Sequence, residues 1–234
     1  MYDGPTSERS LMNQLPTTSR ILDAAEKRFG KHGFDGTSIK AICAEADANV
    51  AAVHYHFKNK DDLAMAVMAR RMEGVARRRK ELLDALLGES DQAPPIRGIV
   101  ETIVLPLVEI IASEGAAGRA YVKTLAHLIH ERLDLLSTTH NTYNGTNASR
   151  QLEALYRALP GVPQGVVQYR LALSYDAALH WLAHPLQLTQ EGPYVRPQRS
   201  SDDYTVELID FLAGGLAVEP TTAEDAVSGA PSAI

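Results

Sequence analysis

Cysteine is almost absent: Cys43 stands alone among 234 residues, so no internal disulfide is possible and a reducing cytoplasm is the expected setting. Aromatic residues make up 6% against 45% hydrophobic overall, a balance normal for a soluble helical protein. No apolar run approaches the roughly 20 residues needed to cross a bilayer, which argues against a membrane protein. The opening MYDGPTSERS lacks the basic start and apolar core of a secretion signal. The N-x-S/T matches at Asn144 and Asn147 then carry no glycosylation meaning. Also missing are a phosphate-binding glycine loop, a serine nucleophile elbow and a convincing metal triad, which argues against an enzyme, a cofactor and a resident metal.

What is present is a charge asymmetry. The chain as a whole carries −6, yet Thr18 to Lys80 holds 13 Lys and Arg against 8 Asp and Glu, a local +5. The remainder is at −11. A basic N-terminal part joined to an acidic remainder points to a nucleic-acid surface at one end.

No strand pattern and no internal repeat stands out, so the expected fold is all-α. Residues 1–17 read as a disordered extension. Thr18 or Ser19 is a candidate cap for a helix with Ile21, Leu22, Ala25 and Phe29 at helical spacing, ended by Gly30 and Gly33. Thr37 or Ser38 caps the next, which buries Ile39, Ile42, Cys43 and Ala46. A turn at Asp47-Ala48-Asn49 leads into a third helix ending near Phe57, and Asn59 caps a long helix to Leu87. Further helical patterns cover Ile96 to Ala112, Gly118 to Leu136, Ser149 to Leu159 and Gln164 to Ala183. Pro185 to Ser201 reads as a loop, and a last helix runs from Asp202 or Asp203 to Leu212, stopped by Gly214-Gly215. Residues 216–234 read as a disordered tail.

Three short helices with a tight turn before the third match a helix-turn-helix reader of double-stranded DNA. Thr37 and Ser38 sit at a helix N-terminus, where hydroxyls and free N–H groups suit a phosphate, and Lys40 lies in the same turn. Ala51 and Ala52 let the third helix approach base edges or a thymine methyl. His54 and Tyr55 reach bases or phosphates; His56 and Lys60 suit phosphates. His54 and His56 are two apart, hence on different faces, which argues against a metal pair. Helical units with such caps also occur in proteins that never touch DNA. A helical small-molecule-binding or scaffold protein without a DNA role is therefore the alternative.

The run TSRILDAAEKRFGKHGFDGTSIKAICAEADANVAAVHYHFKNKDDL resembles the N-terminal domain of the TetR family of transcriptional regulators. The agreement lies in ILDAA, the GF and TS pairs, and YHFKNKDDL, in register over residues 18–63. It departs in the turn, where the family commonly has Ala-Gly-Val-Ser and this chain has Ala46-Asp47-Ala48-Asn49. Asp tolerates the left-handed conformation that glycine provides. The NVAAVHYHF version is similar to a subgroup in which Asn opens the recognition helix, and phosphate capping by Asn49 follows by analogy.

The resemblance implies a DNA-binding head over 18–64 and a ligand-binding and dimerisation body over 65–215. It implies a homodimer on a palindromic operator, most often a repressor released by an unidentified small-molecule effector, here expected to be apolar. Candidate pocket residues are Arg119, Tyr121, His127, His130, Tyr175 and Trp181. Candidate dimer residues are Val167, Leu171, Leu179, Leu182, Val206, Ile209 and Phe211, with an internal core stripe as the alternative for both helices. His127 and His130, and His180 and His184, have spacings that share a helix face, but no third ligand stands beside either pair.

Overall fold

Every backbone segment that the sequence marks as periodic is helical, and the described residues of the computed structural model contain nine α-helices and no strand. It describes residues 16–88, 92–184 and 201–220, without the side chains of 137–144 and 201–202. The expected extension up to residue 15, the expected loop over 185–200 and the expected tail from 221 onward fall outside these residues, whereas Thr17, Ser201 and residues 216–217 are helical instead. In chain order the helices are α1 (Thr17–His32), α2 (Ile39–Ala46), α3 (Val50–Phe57), α4 (Lys60–Leu87) and α5 (Ile96–Glu114). There follow α6 (Ala116–Glu131), α7 (Leu133–Ala158), α8 (Gln164–Ala183) and α9 (Ser201–Ala217). None of them is long and apolar enough to cross a membrane.

Local chemistry sets the head's helix ends. Ser38 Oγ accepts the Ala41 N–H at 3.1 Å, Asn49 Oδ1 that of Ala52 at 2.7 Å, and Asn59 Oδ1 that of Asp62 at 2.7 Å. Each side chain satisfies an N–H that has no partner within its helix. Asp47 takes the left-handed conformation (φ 49°, ψ 52°) at the end of α2, as the substituted turn required. At α1 the expectation fails. Neither Thr18 nor Ser19 caps it; the helix starts at Thr17 behind Pro16, which has no N–H to leave unsatisfied.

Three boundaries in the body also differ from those expected. The span from Gly118 to Leu136 is two helices, broken at Arg132 (φ −143°, ψ 54°). Helix α7 then begins at Leu133 rather than Ser149, through a polar stretch that propensity alone disfavours. Tertiary contacts hold its described part. Asn147 Nδ2 donates to Ala76 O at 2.9 Å and Gln151 Nε2 to Thr102 Oγ1 at 2.7 Å, both from buried positions. Finally, α9 runs through Gly214-Gly215 because Leu212 and Leu216, one turn apart, are both buried.

Two cores organise the molecule. One joins Ile21, Phe29, Ile42, Val53, Phe57 and Leu63 of the first four helices to Tyr121, Val122 and Leu128 of α6. It crosses the boundary expected at residue 64, so head and body are packed as one piece. The other lies within the body, where Ile99 and Ile103 meet Leu155, Val167, Ile209 and Leu212.

Small residues set the approach of α1 and α5 to α6. A Cβ at Gly30 would stand 2.8 Å from Ala120 O, and one at Gly118 would stand 2.2 Å from Ile110 O. Thr124 Oγ1, fully buried, donates to Glu26 O across the same seam. Glu26 itself is buried and takes both carboxylate oxygens to Arg71 Nη1 at 2.5 and 2.7 Å, while Arg71 Nε donates to Glu114 at 2.6 Å. Burial holds the Glu26 carboxyl above its ordinary value, with Arg71 pulling the other way. Removing Arg71 leaves that carboxylate buried without its cation. Arg71→Ala is therefore expected to cost about 3–5 kcal/mol, and Gly118→Ala about 1–3 kcal/mol by overpacking against backbone. Urea unfolding followed by circular dichroism measures both.

Candidate nucleic-acid interface

Helix α3 buries only Val53 and Phe57, which fixes it on the head core and turns the rest of its surface outward. The outward stripe is Val50, Ala51, His54 and Tyr55, with His56 beside it. Tyr55 is 85% exposed, the most open large hydrophobic side chain among the described residues, and meets His56 edge-on with centroids 5.0 Å apart. A protruding aromatic on a helix with a small, flat flank is shaped for a groove rather than for a core.

The structure sorts the expected contact residues into two groups. Ser38, Lys40, Asn49, Ala51, His54, Tyr55 and His56 are exposed; Ala52 is half-buried behind them. The side chains of Ser38 and Asn49 cap their own helices, so their anion-facing groups are the remaining backbone N–H donors of those first turns. In the tautomer that protonates Nδ1, His54 donates to Lys58 O at 2.7 Å, which leaves its Nε2 edge pointing away. His56 has Thr18 Oγ1 at 3.4 Å from its ring nitrogens, tying α3 to the start of α1.

Thr37 and Lys60 belong elsewhere. Thr37 is only 3% exposed, and its hydroxyl donates to Gly33 O at 2.7 Å and Arg28 O at 3.2 Å. Lys60 Nζ donates to Phe34 O at 2.9 Å and Thr37 O at 3.0 Å and lies 4.1 Å from the Phe34 ring centroid. Both hold the α1–α2 turn instead of facing outward. The physical reason is that the turn's carbonyls need donors, and Lys60 at the start of α4 is the cation within reach. The lysine that does face solvent is Lys58, at positive φ (56°) between α3 and α4. Nothing in the sequence Lys-Asn-Lys tells which of its two lysines turns inward.

In the body, the six candidate pocket residues do not converge. Arg119 is exposed on α6, and Tyr121 is buried in the core shared with the head, where burial pushes its phenol above the ordinary range. His127 and His130 pair with Glu131 and Asp176, each at 3.3 Å, and Trp181 is half-buried on α8. Only Tyr175 joins a cluster of interior polar groups. Its hydroxyl donates to Gln151 Oε1 at 2.5 Å, and its ring lies 5.5 Å from the guanidinium of Arg79, a 4%-exposed residue whose Nε donates to Thr102 O at 3.1 Å. Arg79, Thr102 and Gln151 were not expected, since a helical stripe does not reveal which polar residues on it face a neighbour. A surface groove of about 410 Å³ also runs between α4 and α5, with charged side chains making up most of its lining. Arg71 and Arg78 on its walls are paired with Glu114 and Glu109. Among the described residues no group of three or more His, Cys, Asp or Glu side chains is disposed to hold a metal ion.

The dimer candidates divide as well. Val167, Leu171, Leu179 and Ile209 are buried in the chain's own cores and Leu182 packs against them, so these five are the internal stripe. Val206 and Phe211 are exposed, and Tyr169, Leu173 and Val218 share that exposure on α8 and just beyond α9. Periodicity finds an amphipathic helix without saying which of two apolar stripes faces inward.

Because Lys60 is built into the turn, Lys60→Ala should destabilise the chain by about 1–3 kcal/mol, the loss of charged hydrogen bonds to buried carbonyls. Lys58→Ala should stay within about 0.5 kcal/mol of the parent. Thermal melts of the two variants distinguish them; equal stabilities would refute the inward placement of Lys60.

Comparison with known proteins agrees with this architecture. Residues 21–67 match the family model "Bacterial regulatory proteins, tetR family", and residues 101–215 match "Tetracyclin repressor-like, C-terminal domain". The transcriptional regulator UidR of Escherichia coli K12 is 32% identical over 71 residues, 30% of this chain and 36% of its own length. The nicotine-responsive transcriptional repressor HdnoR of Paenarthrobacter nicotinovorans is 34% identical over 65 residues, 28% of this chain and 34% of its own. The match thus spans about a third of these relatives. Among solved structures, Mycobacterium smegmatis AmtR aligns over 92% of this chain and 93% of its own at a TM-score of 0.52 and 20% identity. Bacillus subtilis FadR in complex with stearoyl-CoA aligns over 84% of this chain and 98% of its own at 0.55 and 15%. Those likenesses concern the fold alone; the two matched family models together establish that this chain belongs to the TetR family of transcriptional regulators.

Proposed function

We propose that this protein is a ligand-responsive repressor that binds a palindromic DNA operator as a homodimer in the cytoplasm. The observation that carries the reading is the outward stripe of α3. Ala51, His54 and Tyr55 are exposed on a helix whose opposite side is locked into the head core. Lys58 and Lys40 flank that stripe with positive charge, and the first-turn N–H groups of α2 and α3 offer phosphate donors. A pair of such heads about 34–36 Å apart would enter successive major grooves.

The second copy would be held by the face that the monomer leaves open. Tyr169 is 67% exposed and Phe211 77% exposed, and Leu173 on α8 and Val206 on α9 are exposed apolar side chains as well. Closing this face against its twin gives the four-helix arrangement that the family resemblance implies. The effector would act in the body. The interior polar cluster of Arg79, Thr102, Gln151 and Tyr175 supports an effector with a hydrogen-bonding head group, in place of the wholly apolar one expected from composition. Arg79 lies on α4, the same helix that begins in the head at Lys60. A ligand that displaces α4 at this cluster would alter the head spacing and release the operator.

DNA fragments selected by the purified protein provide the test. A salt-sensitive gel shift with such a fragment should be lost, or weakened at least about tenfold, in Ala51→Glu and Tyr55→Ala at unchanged helical content. Undiminished binding in both would remove α3 as the reading helix. Phe211→Glu should convert a dimer to a monomer by sedimentation and reduce operator affinity with it; a dimer surviving that change would mean that another surface pairs the copies.

A further inference from the structure

Three imidazoles meet where α6 packs against the C-terminal end of α8. The rings of His127 and His184 stand edge-on with centroids 5.8 Å apart, and His184 lies 5.2 Å from His180, one turn earlier. On its other side His127 Nδ1 is 3.3 Å from Glu131 Oε1. The second oxygen of that carboxylate accepts the backbone N–H of Asp35 at 3.0 Å, in the turn between α1 and α2. Gly33 in the same turn is pressed so closely that a Cβ there would stand 2.4 Å from Glu131 Oε1. One carboxylate therefore touches a titratable cluster of the body with one oxygen and the backbone of the head with the other. The next residue adds to the same joint: Arg132 donates to both oxygens of Asp61 at 3.1 Å and stacks over Phe34.

We propose that His127, His180 and His184 form a proton-sensing site which, through Glu131, sets how firmly the body grips the DNA-binding head. The effect on operator affinity rests on the function proposed above; the effect on the grip does not.

Charge decides the direction. Histidine is the side chain that changes charge just below neutral pH. With the rings neutral, their close approach costs nothing electrostatically. Once protonated, they are like charges on neighbouring turns, and Lys123 on α6 adds a further positive field. Other charged groups at this joint include the His130–Asp176 pair linking α6 to α8, Glu131, Asp35, the Arg132–Asp134 and Arg132–Asp61 pairs, and Lys60, which shares the Phe34 ring with Arg132. Protonated His127 draws the charge of Glu131 toward Oε1 and so weakens the bond that its other oxygen accepts from the Asp35 N–H. Repulsion among the rings pushes the end of α8 off α6. Both effects loosen the joint. Partial burial, then His180, His127 and Lys123, hold His184 below its ordinary value. An opened state therefore takes up protons, and the grip is complete above the ordinary histidine range and lost as the pH falls through it.

Hydrogen exchange at the Asp35 amide of the full chain, corrected for the intrinsic pH dependence of exchange, reads the grip directly. Protection should fall about tenfold between about pH 8 and about pH 5.5 in the parent. It should stay level in the triple variant His127→Gln, His180→Gln, His184→Gln. Glu131→Gln, which keeps an acceptor oxygen without the charge, should show a clearly smaller fall, and it decides the matter if the triple variant does not fold. Affinity for the selected operator fragment should weaken about fivefold more on acidification in the parent than in Glu131→Gln, a comparison that cancels any pH effect arising on the DNA-facing surface itself. Equal loss of protection in the parent and in every folded variant overturns the proton-sensing site. Absence of a specific DNA complex at either pH overturns the proposed function alone, because the exchange measurement still decides the grip.

Discussion

The close approach of α1 and α5 to α6 is the constraint on which the rest of the structure depends. Gly30 and Gly118 remove the side chains that would hold the backbones apart, and a single hydrophobic core then forms across head and body. Beside that seam, Arg71 of α4 ties the buried Glu26 of α1 to Glu114 of α5, and losing Arg71 would leave the Glu26 carboxylate buried without its cation. The head is therefore no bead on a tether. Any displacement of α6 has to be felt by α1, since neither helix has slack at their contact.

Helix α4 makes a second physical connection between head and body. It begins beneath the α1–α2 turn with Lys60 and, some 19 residues or about 28 Å further along its axis, carries Arg79 into the polar centre of the body. Between these points Arg71 and Arg78 engage carboxylates of α5, and Ala76 offers its carbonyl to Asn147 of α7. A rigid rod with directional contacts at both ends transmits a tilt better than a rod packed only by aliphatic side chains, which slide. The hydrogen bonds from Arg79 to Thr102 O, Gln151 to Thr102 Oγ1 and Tyr175 to Gln151 fix the relative geometry of α4, α5, α7 and α8 at this point.

Positive charge in the head has two different employments. Lys60 lies over the Phe34 ring and donates to the carbonyls of the turn, with Arg132 of the body over the same ring, whereas Lys40 and Lys58 remain exposed. The excess charge read from composition is thus partly structural, and the fraction free to meet phosphates is smaller than the count suggests.

Sequence by itself determined the helices of the head, the turn at Asp47, the caps at Ser38, Asn49 and Asn59, and the exposed stripe of α3. Those features depend on neighbours within one or two turns, where spacing and side-chain type act directly on the backbone. Only tertiary structure decided that Thr37 and Lys60 turn inward, that Lys58 does not, and that Val167, Leu171, Leu179 and Ile209 fill the chain's own cores while Tyr169, Leu173 and Phe211 stay open. It also carried α7 back to Leu133 and α9 past two glycines, against local propensity. In each of these cases the deciding partner lies far along the chain. A polar or apolar residue on a helix is compatible with several neighbours, and packing selects one.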